Sequence, residues 1–430
     1  MTVGFLGLSH LGLVSAAAAA AKGYDVVGFD ESAAHVERLR RGELTVVEPG
    51  LAELIAAAGA RLRLTSDPGD LETCELLYVS VDVPTDEHDA SDPAPVERLL
   101  LVAAEQAPAG ACVVVLSQVE PGFTRAQRGR VERDGRVLCY QVETLVFGRA
   151  VERALEPERF IVGVADSVIP ERLRAHLEAF GCPILAMGYE SAELCKIAIN
   201  AFLVSSISTT NTLAELSEAI GADWAEITPA LRLDRRIGEH AYLGAGLGFG
   251  GSNLSRDLAT IERLARATGV DAGVVAAWRA HSVHRRAWPL RVLHERLLGR
   301  TARPRVAIWG LAYKEDTQST RNSPGLALAT TLAAAGTEVA AYDPEAEPVT
   351  IVSPSFRRVD DPFEACADAD ALVLATPWRS FRDSEPAAIA DALEGRLVVD
   401  PYGLLDAGRM AAVGLEHARL GVPLPKVSGC

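Results

Sequence analysis

GFLGLSHLG at residues 4–12, followed by VVGFD at 26–30, decides the fold. Val3–Leu6 is a short apolar, strand-like run. A glycine-punctuated turn follows it at once, and Leu13–Ala21 continues as an apolar helical stretch too short to span a bilayer, hence a buried helix. Gly7 and Gly12 hold the first and third places of GxGxxG between strand and helix, and Asp30 ends the next strand. That is the spacing of a turn that cradles a dinucleotide pyrophosphate, with an acid placed to bond the adenosine ribose. An Asp at 30 favours NAD over NADP, whose 2′-phosphate it would repel. The middle glycine place is Ser9, where a bare backbone normally approaches the pyrophosphate. Its hydroxyl either bonds a phosphate oxygen or its side chain holds the cofactor off. Leu11 of the same turn, with Val83, Pro84 and Gln118 after later strand-like runs, completes the expected cofactor contacts. Taken alone, such a motif is also met as an ordinary tight strand-to-helix turn.

The pattern recurs. VAIWG at 306–310 with VAAYD at 339–343 echoes GFLG at 4–7 with VVGFD, and LVLATP at 372–377 echoes YVSVDVP at 78–84. Further apolar runs at Leu76–Val81, Cys112–Leu116, Val137–Tyr140 and Phe160–Val164 alternate with amphipathic stretches, which implies parallel sheet covered on both faces. Between the repeats, Ser191–Ile220 contains no Gly or Pro and spaces its apolar residues helically, predicting a helix of about 30 residues and roughly 45 Å. Asp271–Leu298 predicts another helix, broken or kinked at Pro289. The expected class is α/β: two Rossmann-like, doubly wound parallel-sheet domains (1–188 and 301–430) joined by a helical middle domain (189–300) with a long spine helix.

Composition bounds the function. A chain of 430 residues is too long for one core. Its net charge of −16 argues against nucleic acid or an anionic membrane as main partner, while a few local Arg and Lys still suffice for a phosphate. Strand-like sequence begins at Thr2, so no secretory leader is expected. The cysteines at 74, 112, 139, 182, 195, 366 and 430 show no CxxC spacing and are odd in number, as expected of reduced thiols in a cytoplasmic protein. His281 and His284, one helical turn apart with His294 beyond, lack an accompanying carboxylate or Cys signature and sit among arginines, so no metal site is expected.

YLGAGLGFGGSNLSRD at 242–257 resembles the active-site signature of the UDP-glucose/GDP-mannose (nucleotide-sugar) dehydrogenase family, GFGGSC followed by Lys-Asp. The resemblance covers nearly the whole chain. It includes residues 26–55 with EPGL at Glu48–Leu51, SAELCKIAINAFL at 191–203, DRRIG at 234–238 and GLAYKEDTQSTRNSP at 310–324. It implies that Lys196 and Asn200, at i and i+4 on one helix, hold the substrate oxygen during alcohol oxidation, and that Lys314 and Arg321 lie near the nucleotide. Arg236 becomes a sugar or phosphate contact reaching into a neighbouring subunit. Tyr242, Gly248, Phe249, Gly250 and Gly251 become a loop closing on the nucleotide. The resemblance also implies a homodimer formed through the spine helix.

The departures cluster. The family's cysteine, which attacks the aldehyde of a first oxidation so that a second yields an acid, is here Asn253, and a carboxamide supplies no thiolate. The Lys-Asp pair is Arg256-Asp257. P-E-F-L-x-E is here VETLVF, which keeps Glu143 but puts Val142 for Pro and Phe147 for the second Glu. S-T-V-P is here SQVEPG, with Gln118 for Thr. The nucleotide-holding positions are retained and the acid-forming ones altered, a pattern that random decay would not produce. The expected activity is therefore NAD-dependent two-electron oxidation of an alcohol on a nucleotide sugar or nucleotide, stopping at the aldehyde or ketone. A secondary alcohol in the tailoring of a specialised metabolite, such as an antibiotic, fits this. Lys196 and Asn200 would polarise the oxygen, with Asp257 and Glu143 organising proton removal beside Asn253. Two alternatives stand: a redox-neutral epimerase with tightly held NAD, and a non-catalytic nucleotide-binding homologue.

Overall fold

The computed structural model describes residues 1–44, 46, 48–86, 89–166 and 168–424. The chain divides between Ile199 and Asn200 into two compact units. Unit 1 carries β1 (Thr2–Leu6), β2 (Asp25–Phe29), β3 (Leu62–Thr65), β4 (Cys74–Val79), β5 (Cys112–Val115), β6 (Val137–Gln141), β7 (Phe160–Val164) and β8 (Ile184–Gly188), ordered β3-β2-β1-β4-β5-β6-β7-β8. Unit 2 carries β9 (Arg305–Trp309), β10 (Glu338–Tyr342), β11 (Phe356–Arg358), β12 (Ala371–Leu374), β13 (Leu397–Asp400) and β14 (Glu416–Arg419), ordered β11-β10-β9-β12-β13-β14.

Counted from its own first strand, the second sheet runs 3-2-1-4-5-6, and the first runs in the same order and continues through its seventh and eighth strands, which makes both doubly wound. The order reverses beside β1 and beside β9, and the crevice for a ligand opens there at the carboxyl ends of the strands. The strands are apolar on both faces because helices cover both. Val3 and Phe5 pack into one layer with Leu76 and Tyr78, while Leu6 and Val27 pack into the other with Leu77 and Val79. One pair departs from the expected parallel sheet: β7 runs antiparallel to β6, with Tyr140 opposite Gly163. The link 142–159 enters β7 from the end at which it left β6, whereas a parallel return needs a crossover along the whole strand.

The spine helix spans Tyr189–Ile220, 32 residues without a breaker. By length and composition it is apolar enough to cross a membrane. Its first turns instead belong to the core of unit 1, where Tyr189 and Ala192 are fully buried. The helical stretch after Asp271 is broken as Pro289 requires. Helix Gly273–Arg286 stops, and Pro289 sits in the first turn of helix Trp288–Leu293, where its missing N–H costs no bond. Cys74, Cys112, Cys139, Cys182, Cys195 and Cys366 are free thiols, and Cys430 lies outside the described residues.

Candidate active site

The glycine-rich turn is built by close approach. Gly7 has φ +92° and a Cβ there would lie 2.8 Å from Val81 Cβ; at Gly12 it would lie 1.8 Å from the Gly7 carbonyl oxygen. Only glycine lets helix His10–Ala21 start this close to β1. Asp30 accepts the Leu8 N–H (3.0 Å) and the Ser32 N–H (2.9 Å), so the predicted ribose acid also braces the turn. Ser9 is the residue that caps this helix, yet its hydroxyl makes no capping bond and accepts the Asp82 N–H at 2.9 Å. A bare, close-packed turn with an acid at the end of β2 fits a dinucleotide. Val83 packs at the edge of the core, Pro84 lies in the loop beyond it, and Gln118 follows β5 in the same unit.

Unit 2 repeats the device with an insertion. Gly310 has φ +110°, and a Cβ on Gly325 would lie 2.1 Å from the Gly310 carbonyl oxygen, as Gly12 relates to Gly7. Asp343 accepts the N–H groups of Leu311 (2.6 Å) and Ala312 (2.8 Å), as Asp30 does for Leu8. Between the two glycines the chain inserts residues 311–323, and this insertion carries Lys314 and Arg321.

Lys196 Nζ stands 3.3 Å from Glu143 Oε2, both largely buried. One turn earlier, the fully buried Glu193 accepts the N–H groups of Gly122 (2.6 Å) and Thr124 (2.8 Å), capping helix Phe123–Val131. Burial raises its carboxyl pKa against the pull of those bonds. Phe147, where the resemblance puts a second Glu, stacks on His10 of the glycine-rich turn with centroids 4.3 Å apart and planes 19° apart. His10 Nε2 lies 3.0 Å from Glu48 Oε2. Glu48 also accepts the N–H groups of Gly148 (3.1 Å) and Ala150 (2.7 Å). Sequence reasoning passed over His10, Glu48, Asp82 and Glu193. The retained EPGL stretch was the one signal pointing to Glu48.

In unit 2, Asn200 donates its amide to Asp257, whose other oxygen lies 3.3 Å from Arg256 Nε. All three are buried. Asn253 is the exposed first residue of helix Asn253–Thr268, one turn before Asp257. The glycines before it lie on the inserted loop: a Cβ on Gly250 would lie 3.1 Å from Tyr313 Cβ, and on Gly251 2.9 Å from the Tyr313 ring. Gly251 N–H donates to the Arg321 carbonyl (3.1 Å), and Asn322 Nδ2 donates to the Gly251 carbonyl (2.8 Å). The structure therefore brings the GFGGSN loop onto the segment bearing Lys314 and Arg321. Gly248, with φ +80°, packs on Ser282, whose hydroxyl accepts the Phe249 N–H at 3.0 Å. Burial raises the Tyr313 phenol to about 12 and lowers the Arg286 guanidinium, which donates to the Phe249 carbonyl.

Arg236 pairs with Asp234 at 2.6 Å with 88% of its side chain exposed, and Tyr242 is also exposed. His284 pairs with Glu215 (2.7 Å) and His281 lies 3.2 Å from the Thr212 hydroxyl.

Three family models cover the chain. Residues 1–180 match the NAD binding domain of the UDP-glucose/GDP-mannose dehydrogenase family, 190–282 its central domain and 307–407 its UDP binding domain. The UDP-glucose 6-dehydrogenase of Pseudomonas aeruginosa is 32% identical over 97% of each chain. The UDP-glucose 6-dehydrogenase AglM of Haloferax volcanii is 33% identical over 93% of this chain and 96% of its own. Among solved structures, a UDP-glucose dehydrogenase from Pyrobaculum islandicum superposes with a TM-score of 0.84 at 29% identity, covering 97% of this chain and 96% of that one. A UDP-D-ManNAc dehydrogenase from Pyrococcus horikoshii shares the fold at a TM-score of 0.83 and 24% identity, covering 98% and 99%.

Proposed function

The chain belongs to the UDP-glucose/GDP-mannose dehydrogenase family, NAD-dependent oxidoreductases acting on CH–OH groups of nucleotide sugars, and from that membership we propose that it oxidises its substrate by two electrons and stops at the carbonyl. The observation that carries this is the carboxamide of Asn253 at the exposed start of helix Asn253–Thr268, where acid formation requires a thiol. A secondary alcohol on a nucleotide ribose or hexose suits such a site, because its ketone has no hydrogen left to transfer. The work then belongs to the tailoring of a specialised metabolite, such as an antibiotic.

Bound NAD supplies the hydride acceptor. The protein's own part is to bind, orient and take the hydroxyl proton. Lys196 puts a positive charge against the oxygen as it loses its proton, and Asn200, one turn on, fixes that oxygen with its amide. Glu143 holds the Lys196 ammonium in place and Asp257 holds the Asn200 carboxamide, so each polarising group has a carboxylate behind it. Proton removal passes to Glu143 or Asp257 through water. Lys314, Arg321 and the 248–251 loop hold the nucleotide, with Tyr242 at its edge.

The chain in this reading has three functional parts, 1–188, 189–300 and 301–430. It works in the cytoplasm, off the membrane, as a homodimer. The free thiols fit a reducing compartment. Phe202 on the spine helix is 76% exposed, and Leu216 and Ile220 on the same helix are also exposed, an apolar face that a second copy would cover. Ile207, on the same helix, packs within unit 2 against Val204, Phe249, Leu258 and Val275. Arg236, free of close packing, would then serve the neighbouring subunit's site. A stable monomer in sedimentation at micromolar concentration would remove both ideas.

The activity is tested by incubating the protein with NAD and a panel of nucleotides and nucleotide sugars, following NADH absorbance and product mass. A product lighter by two hydrogens with one NADH per substrate is expected. A carboxylate with two NADH, or a product of unchanged mass and altered retention, overturns the reading.

A further inference from the structure

Arg286 ends helix Gly273–Arg286 and is half-buried. Its Nη2 donates to the Phe249 carbonyl at 3.0 Å, and its Nε is fully buried without a partner. Three other arginines among the described residues also bury Nε, and each pairs with a carboxylate: Arg153 with Glu158, Arg285 with Glu218 and Arg296 with Glu416. Arg286 pairs with none of the described carboxylates. Burial pulls its pKa down, because water's hold on the charge is lost and no anion replaces it. A guanidinium stays protonated all the same, so an uncompensated cation stands at Phe249. The same helix grips both ends of that residue. The Ser282 hydroxyl, one turn before Arg286, accepts the Phe249 N–H at 3.0 Å, and Arg286 takes its carbonyl. Beyond Phe249, Gly250 and Gly251 meet Tyr313, on the segment bearing Lys314 and Arg321.

We propose that Arg286 is a phosphate-binding residue of the nucleotide site: the diphosphate of the nucleotide sugar supplies the counter-charge that the folded chain does not, and the Phe249 carbonyl holds the guanidinium in place for it. This rests on the reading of the 248–251 loop as part of the nucleotide site, and it adds a cation that no motif marks. A buried charge without a partner weakens the fold, and an anion that pairs with it restores what was lost. The guanidinium fork suits a phosphate, and its one recorded bond uses one of its five N–H donors.

The test is equilibrium titration of the full chain with UDP and with uridine, which differ only in the diphosphate. Wild type is expected to bind UDP more tightly than uridine. Arg286→Met, which keeps the length of the side chain and removes its charge, should weaken UDP by at least about tenfold and leave uridine unchanged. Arg286→Lys, a point charge without the fork, should recover part of the loss. Urea unfolding separates this from a structural role, since removal of an unpaired buried charge should leave the midpoint of Arg286→Met no lower than that of wild type. Unchanged UDP affinity in Arg286→Met overturns the proposal. So does an equal loss for UDP and uridine, which would mark Arg286 as merely shaping the loop. A wild-type chain that binds UDP no better than uridine would sink the nucleotide reading itself, and this inference with it.

Discussion

The Glu193 carboxylate, inside the second turn of the spine helix, accepts the backbone N–H groups of Gly122 and Thr124 at 2.6 and 2.8 Å. It holds the start of helix Phe123–Val131 against the helix that presents Lys196. Glu193→Ala leaves both N–H groups without an acceptor in a dry place, which costs about 2–4 kcal/mol. Glu193→Gln keeps one acceptor oxygen and should lose less. Urea unfolding of the two variants checks the order.

His176 gives the fold an acid limit. It is 3% exposed among Tyr24, Tyr78 and Phe180, and burial pushes its pKa down to about 4 from an ordinary 6.5. Between those two values the unfolded chain binds a proton that the folded chain refuses, so stability rises with pH across that window. Acidification from neutrality to pH 4 should therefore remove about 3 kcal/mol. His176→Phe should flatten this dependence in unfolding curves measured from pH 4 to 7.

The two glycine-rich turns are separable. Gly325→Ala drives a methyl into the Gly310 carbonyl and must displace the loop carrying Lys314 and Arg321. UDP affinity should fall by about tenfold or more, while NAD titration stays at its wild-type value. Loss of both would mean that the substitution unfolds the chain rather than the loop.

The doubly wound class and the spine helix were legible because period, length and breakers encode them directly: Gly7, Gly12 and Asp30 mark the first unit, and an unbroken Ser191–Ile220 marks the helix. β3, β8, β11, β13 and β14 went unread because each is short and most sit at or near a sheet edge, with too few residues to show a period. Of the candidate residues, Lys196, Asn200 and Asp257 were named from the family resemblance, and the structure pairs Lys196 with Glu143 and Asn200 with Asp257. The supports were hidden. Glu48 meets His10 and the 148–150 backbone across 38 and about a hundred residues of sequence, and no local pattern reports a contact that only the fold creates. The antiparallel β7 was missed for the same reason, since a strand's direction is set by where its preceding link ends.

Asn253 carries the sharpest prediction. If the thiol is absent because the reaction needs only one hydride transfer, Asn253→Cys should not make the protein an acid-forming enzyme. The new thiol would stand at the start of helix Asn253–Thr268, where the helix dipole favours a thiolate. A thiolate alone is not enough. Phe147, in place of a carboxylate, is stacked on His10, and Gln118 and Arg256 stand where the resemblance has Thr and Lys, so the second step still lacks its water and charge partners. For a secondary alcohol the obstacle is absolute, because the ketone has no hydrogen to give. The variant is expected to keep one NADH per substrate. Product mass and NADH stoichiometry decide it. Two NADH and a carboxylate from Asn253→Cys would show instead that the substrate is a primary alcohol and that this position alone separates the chain from four-electron chemistry.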